Sequence, residues 1–174
     1  SSDLLSTTGP KLVSGNLMNN KAAKILAKRK LKVFTIESAS AGYILHRLSL
    51  SRYSGNVLLG GIVCYDLSVK TDLLKIPVNL IEKYSPESRE ITRHLIEYTQ
   101  ALYDADIYIA CTGLLKRGGS ENVQKPVGTF FYCIYFNNKI YEYNCLCKGK
   151  PEKKLRSLYS RICKDLIKLI NNKS

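Results

Sequence analysis

Val33-Phe34-Thr35-Ile36-Glu37-Ser38-Ala39-Ser40-Ala41-Gly42 reads as an apolar strand that runs into a turn and then a helix. Unbroken apolar and β-branched residues suit a strand covered on both faces, as in parallel sheets. A serine at the carboxyl end of such a strand presents its hydroxyl where ligands collect in open α/β sheets. Backbone N–H groups of the turn, and the positive end of the helix after it, favour negative charge there. A second apolar run ends at Tyr65, and Lys70 follows. A serine, a tyrosine and a lysine delivered to neighbouring strand ends assemble a nucleophile and its base.

The pattern continues on both sides of this stretch. Residues 21–30 read as a short basic helix with Ala22, Ile25 and Leu26 on one side. After strand 33–37, residues 40–50 place Ile44, Leu45 and Leu48 at helical spacing, and 51–56 form a loop. Strand 57–65 contains Gly60-Gly61, the mark of a bulge or a close backbone approach. Residues 68–74 read as a short helix ended before Pro77. Ser85-Pro86-Glu87 has the chemistry of a helix start, and the helix it opens is expected to reach Tyr103.

Strand 107–111 leads through Thr112-Gly113 and a polar loop, 116–124, to strand 127–136. Asn137-Asn138 is a hairpin turn before strand 140–147. Residues 151–170 form a basic amphipathic helix with Leu155, Leu158, Ile162, Leu166 and Leu169 inward. Alternating strands and helices that end in a hairpin predict a mixed sheet covered by helices. With the first three strands parallel, Ser38, Tyr65 and Thr112-Gly113 emerge at one edge. The hairpin brings Lys125-Pro126 and Lys148-Gly149-Lys150 to the same edge.

The chain has 174 residues, 45% of them hydrophobic, enough for one core. Residues 1–17 are rich in Ser, Thr and Gly without a period, and the only methionine is Met18. They are read as an expression tag or a disordered arm, leaving a single domain over 18–174. No apolar run approaches the ~20 residues of a membrane span, so no membrane association is expected. The six cysteines lie inside strand-like and helix-like runs, which suits free thiols in a reducing cytoplasm better than disulfides or a metal site. His46 and His94 fall within helices, outside any motif. The net charge of +13 is concentrated at 21–32 and 148–174. Without a nucleic-acid motif, those clusters are read as solvated helix faces.

Five segments together resemble the C-terminal domain of the CinA family, also found alone as the nicotinamide-nucleotide amidohydrolase PncC. Glu37-Ser38-Ala39-Ser40-Ala41-Gly42 stands where the family has E-S-C-T-G-G. Gly60-Gly61 through Tyr65 and Lys70 matches G-G-x-x-x-Y-x-N-x-x-K. Ser85 and Glu87 fit V-S-E, Thr112-Gly113 opens T-G-I-A-G-P, and Lys125-Pro126-Val127-Gly128-Thr129 repeats K-P-V-G-T.

The resemblance implies a three-layer α/β/α domain with a mixed sheet. It also implies hydrolysis of the carboxamide of nicotinamide mononucleotide, or a related pyridine nucleotide, to the acid and ammonia. Ser38 is then the nucleophile, Lys70 its base, and Tyr65 a group that orients Ser38 or relays the proton. Backbone N–H groups over Ala39, Ser40, Ala41 and Gly42 are candidate oxyanion donors. Thr112, Gly113, Lys125 and Lys150 are candidate substrate-binding residues. No metal or cofactor is required, and a homo-oligomer, a dimer, is expected.

Departures from the family pattern are Leu67 for its asparagine, Lys116-Arg117 inside a shortened glycine loop, and Gly149-Lys150-Pro151 in place of G-D-R. Lys116 and Arg117 suit either a phosphate grip or a solvated loop. The alternatives are a nucleotide-binding or regulatory module without turnover, and a basic nucleic-acid-binding domain.

Overall fold

The computed structural model describes residues 13–172, and side chains from residue 19 onward. Helix α1 (Val13–Lys28) is followed by β1 (Val33–Glu37), α2 (Tyr43–Ser49), α3 (Ser54–Val57) and β2 (Leu58–Val63). A π-helical turn at Val69–Leu73 precedes α4 (Val78–Tyr84) and α5 (Arg89–Thr99). Then come β3 (Ile107–Gly113), β4 (Thr129–Phe136), β5 (Lys139–Leu146) and α6 (Pro151–Asn171).

The five strands form one mixed sheet in the order β2-β1-β3-β4-β5. β1 is parallel to both β2 and β3, whereas β3–β4 and β4–β5 are antiparallel. Side chains alternate between two cores because strand residues point to opposite faces. Val33, Ile107, Ile109, Phe130 and Ile134 meet α1, α2 and α6, through residues such as Leu26, Ile44 and Leu166. Phe34, Ile36, Tyr108, Ala110 and Cys133 meet α4 and α5 through Ile81, Ile91 and Leu95. Helices on both faces bury β1 and β3 along their full length, and the expected α/β architecture with a mixed sheet is observed.

Both meanings of Gly60-Gly61 are realised. The β1–β2 register slips by one residue at Leu59, a bulge, and a Cβ on Gly61 would lie 2.3 Å from Thr35 Oγ1. Asn137 and Asn138 have φ of 50° and 60°, the left-handed pair that a two-residue hairpin needs.

Several element boundaries differ from those expected, including the loop read at 51–56, where α3 begins at Ser54. α1 begins at Val13, inside the stretch set aside as a tag or arm; residues 1–12 lie outside the described residues. α2 starts at Tyr43, because Ala41 (φ 49°) and Gly42 (φ 93°) are left-handed and cannot extend it backwards. α4 went unrecognised: it is seven residues long and buries only Ile81 fully, too little to set a period.

The helix expected to start at Ser85 starts at Arg89, and it ends at Thr99. Ser88 is its N-cap, with the hydroxyl accepting from the Ile91 N–H at 3.2 Å. Ser85 has φ 75° and ψ 146°, away from the helical region that a following proline disfavours. Ser85-Pro86-Glu87 is therefore a connector, and it faces the candidate site.

Candidate active site

Ser38 continues the pairing of β1 by one bond beyond the strand, its N–H donating to Cys111 O at 3.0 Å. The preceding Glu37 is fully buried and organises the turn after it. Its Oε1 accepts from Ser40 Oγ at 2.8 Å and from the Ile44 N–H at 2.9 Å, and its Oε2 from the Leu45 N–H at 3.0 Å. The anion at the start of α2 is thus the protein's own carboxylate, not a ligand as the sequence pattern suggested. The turn closes with Ala41 N–H to Ser38 O (3.0 Å) and Tyr43 N–H to Ser40 O (2.9 Å). Neither the Ala39 nor the Ser40 N–H donates to a backbone carbonyl among the described residues. Ala39, which unlike Ser40 lines the adjoining cavity, remains a candidate oxyanion donor.

Lys70 reaches Ser38 from the π-helical turn. Its Nζ lies 3.1 Å from Ser38 Oγ and donates to Cys64 O at 2.7 Å. That carbonyl is held by the sheet, since Cys64 N–H bonds Glu37 O at 2.8 Å just past β2. The lysine is only 2% exposed and forms no salt bridge among the described residues. Burial pushes its pKa below the ordinary lysine value, opposed by the Cys64 thiol when it is ionised and by the carboxyl groups of Glu87 and Asp66. As an ammonium, Lys70 donates to the Ser38 oxygen. As a neutral amine, it keeps one N–H on Cys64 O and turns its lone pair to the Ser38 proton.

A cavity of about 240 Å³ opens beside the pair. Ser38, Ala39 and Gly113 line it with Tyr65, Glu87 and the loop of residues 114–119. Lys116 and Arg117 are therefore cavity residues. Gly113 is a glycine for packing reasons, because a Cβ there would sit 2.2 Å from Phe130 Cδ1. Ser40 supports the turn by bonding Glu37, and Ala41 and Gly42 shape it; none of the three lines the cavity.

Several expected site residues are placed elsewhere. Tyr65 stands at the cavity but is 60% exposed and bonds neither Ser38 nor Lys70, so no proton relay passes through it here. β2 is an edge strand of the sheet, and the ring that follows it is left largely exposed. Thr112 is wholly buried, its hydroxyl 2.8 Å from that of Thr92, and it ties β3 to α5. Lys125 Nζ donates to Ser85 Oγ (3.0 Å) and Glu87 O (2.8 Å), clamping the connector before α5. Lys150 is the exposed residue before α6 and does not line the cavity. Nearby Lys154 holds the cationic loop instead, donating to Leu115 O at 2.8 Å.

Sequence reasoning assigned no role to Glu37, to the Cys64 carbonyl or to the Glu87 side chain. The signal for Glu37 was present, since a carboxylate ending a buried strand must find several donors. The signal for Glu87 was hidden by reading Ser85-Pro86-Glu87 as a helix start. All six cysteines are free and buried, and no group of three His, Cys, Asp or Glu suited to a metal occurs among the described residues. No described helix is long and apolar enough to cross a membrane.

A helix-covered mixed sheet with a serine and a buried lysine paired at its strand ends defines the class. The model of the CinA C-terminal domain family matches residues 16–170, and this chain belongs to that family. A CinA-like protein of Pseudothermotoga lettingae is 34% identical over 137 residues, covering 77% of this chain but 33% of that protein. Protein MG115 of Mycoplasma genitalium is 32% identical over 124 residues, 71% of this chain and 78% of the relative. The chain thus spans a third of the longer relative. A CinA superfamily crystal structure from Klebsiella pneumoniae superposes with a TM-score of 0.85 at 19% identity, over 91% of this chain and 99% of that one. A competence/damage-inducible protein structure from Agrobacterium tumefaciens gives 0.83 at 19% identity, over 94% and 99%.

Proposed function

We infer that this domain hydrolyses the carboxamide of nicotinamide mononucleotide, or a close pyridine nucleotide, to the acid and ammonia. The observation that carries the inference is the 3.1 Å approach of Lys70 Nζ, buried and without an acidic partner, to the Ser38 hydroxyl at a cavity. A serine hydroxyl needs a neighbouring base, and a lysine serves only when its pKa is lowered. Lys70 takes the Ser38 proton as Oγ attacks the carboxamide carbon. The carbonyl oxygen becomes an oxyanion at the cavity wall that Ala39 lines, where its N–H is the candidate donor, worth roughly 3–4 kcal/mol.

Collapse breaks the C–N bond, and Lys70 returns the proton to the leaving nitrogen, releasing ammonia and leaving an ester on Ser38. Water attacks the ester with Lys70 again accepting a proton. The acid leaves and the serine hydroxyl is restored. Every proton lost from Ser38 or water is thereby accounted for on ammonia, the acid or the serine.

Lys116 and Arg117 are the cavity's cations and the assigned partners of the nucleotide phosphate. Lys125 is committed to the connector, and Lys150 is outside the cavity. The family likeness further supports a homodimer, which sedimentation analysis tests directly. Purified protein incubated with nicotinamide mononucleotide is expected to release ammonia and the acid nucleotide, and Ser38→Ala to release neither. Ammonia release that survives Ser38→Ala refutes the assigned nucleophile. Nucleotide binding without product selects the second reading, a binding module, which Tyr65, exposed and bonded to neither Ser38 nor Lys70, favours.

A further inference from the structure

Glu87 is the one acidic side chain among the cavity-lining residues. Its main chain is fixed by Lys125, and its Oε2 accepts from Ser120 Oγ at 2.5 Å, with Ser85 Oγ at 3.5 Å. The other oxygen, Oε1, accepts from no donor among the described residues. A carboxylate held through one oxygen therefore keeps the second for a ligand, in the cavity that the nucleophile opens into.

We propose that Glu87 Oε1 accepts an N–H of the substrate's carboxamide and excludes the acid formed from it, making Glu87 the residue that tells amide from acid. The inference rests on the reaction proposed above. A carboxamide has two N–H donors for a carboxylate. Its hydrolysis product has none and carries the same charge. Specificity of this kind comes as much from repelling the wrong ligand as from holding the right one. The ammonia nitrogen leaves from the side that Glu87 holds, and the acid then faces a like charge, which speeds its departure.

The charge of Glu87 also opposes, without direct contact, the effect of burial on the Lys70 amine. Removing its charge therefore acts on the pH profile as well as on binding.

Glu87→Gln supplies the test, because glutamine keeps the size and can donate an N–H to a carboxylate. Calorimetry is expected to show nicotinic acid mononucleotide binding about tenfold tighter to Glu87→Gln than to wild type. The KM for the amide should rise severalfold, and the acid limb of kcat/KM should move to lower pH. Ser120→Ala, which loosens Glu87 but leaves its charge, should keep the preference for amide over acid. Parallel weakening of amide and acid in Glu87→Gln, with turnover intact, overturns this inference alone. Tighter acid binding by Glu87→Gln in a protein without turnover keeps it and removes the hydrolytic reading. Failure of both nucleotides to bind the wild type and the variant overturns both.

Discussion

A serine hydroxyl and a lysine amine are unremarkable until burial and geometry act on them together. Lys70 sits 3.1 Å from Ser38 with its other contact on a backbone carbonyl, which cannot neutralise a charge. Ser38→Ala is expected to lower kcat/KM on the order of 10⁴-fold or more, measured by ammonia release. For Lys70, the folded state disfavours the proton that the unfolded chain binds. Between its lowered folded pKa and the ordinary 10.5, the unfolded state holds more protons, so stability rises with pH across that window. Below the folded pKa the penalty is fully present. Lys70→Met removes this dependence, and urea titrations at several alkaline pH values should give a flatter stability curve for the variant.

Glu37 carries more of the fold than its neighbours. Glu37→Gln replaces an acceptor-only group facing Ser40, Ile44 and Leu45 donors, and is expected to cost about 2–3 kcal/mol in denaturant unfolding. Ser38 and Lys70 were legible as a pair from their motifs. The acceptors that position them were not, because a backbone carbonyl such as that of Cys64 leaves no trace in residue type.

At the scale of elements, the strands were read to within two residues because alternation and apolar runs report burial directly. Short helices were not. α4 has one fully buried residue, and the start of α5 was displaced by a Ser-Pro-Glu sequence that satisfies capping chemistry while the backbone at Ser85 is left-handed. Thr112 shows the same limit within a strand: its motif position suggested a ligand, yet its hydroxyl faces Thr92 inside the core. Thr112→Val is therefore expected to cost about 1 kcal/mol of stability and leave KM unchanged, and a rise in KM would return Thr112 to the binding site. Gly113→Ala forces a Cβ against the Phe130 ring and should destabilise by about 1–3 kcal/mol, with activity falling because that backbone lines the cavity.

Across the whole molecule, the sheet order explains why residues far apart in sequence share one cavity. β1, β2 and β3 point the same way, so Ser38, Tyr65 and Gly113 reach one edge, and antiparallel β4 enters from that edge. That convergence was legible from the order of elements. The identity of the cations was not, because Lys125 and Lys116 are both basic and only packing assigns one to the connector and the other to the cavity.

Burial also governs the thiols, on strands and on α6 alike. Burial pushes Cys111 far up and raises Cys133 and Cys145 to about 12 and Cys163 to about 11. The native protein should react sluggishly with a thiol reagent at neutral pH, and all six cysteines should react once it is unfolded.

The central claim is that Lys70 is a neutral amine when it takes the proton of Ser38. Nitrogen NMR of the lysine side chains, with Lys70→Met to assign the signal, follows its Nζ through pH directly. The account predicts a midpoint below 10.5 that coincides with the acid limb of kcat/KM. A Lys70 ammonium that persists to pH 10.5 or beyond while ammonia release proceeds at neutral pH would contradict it.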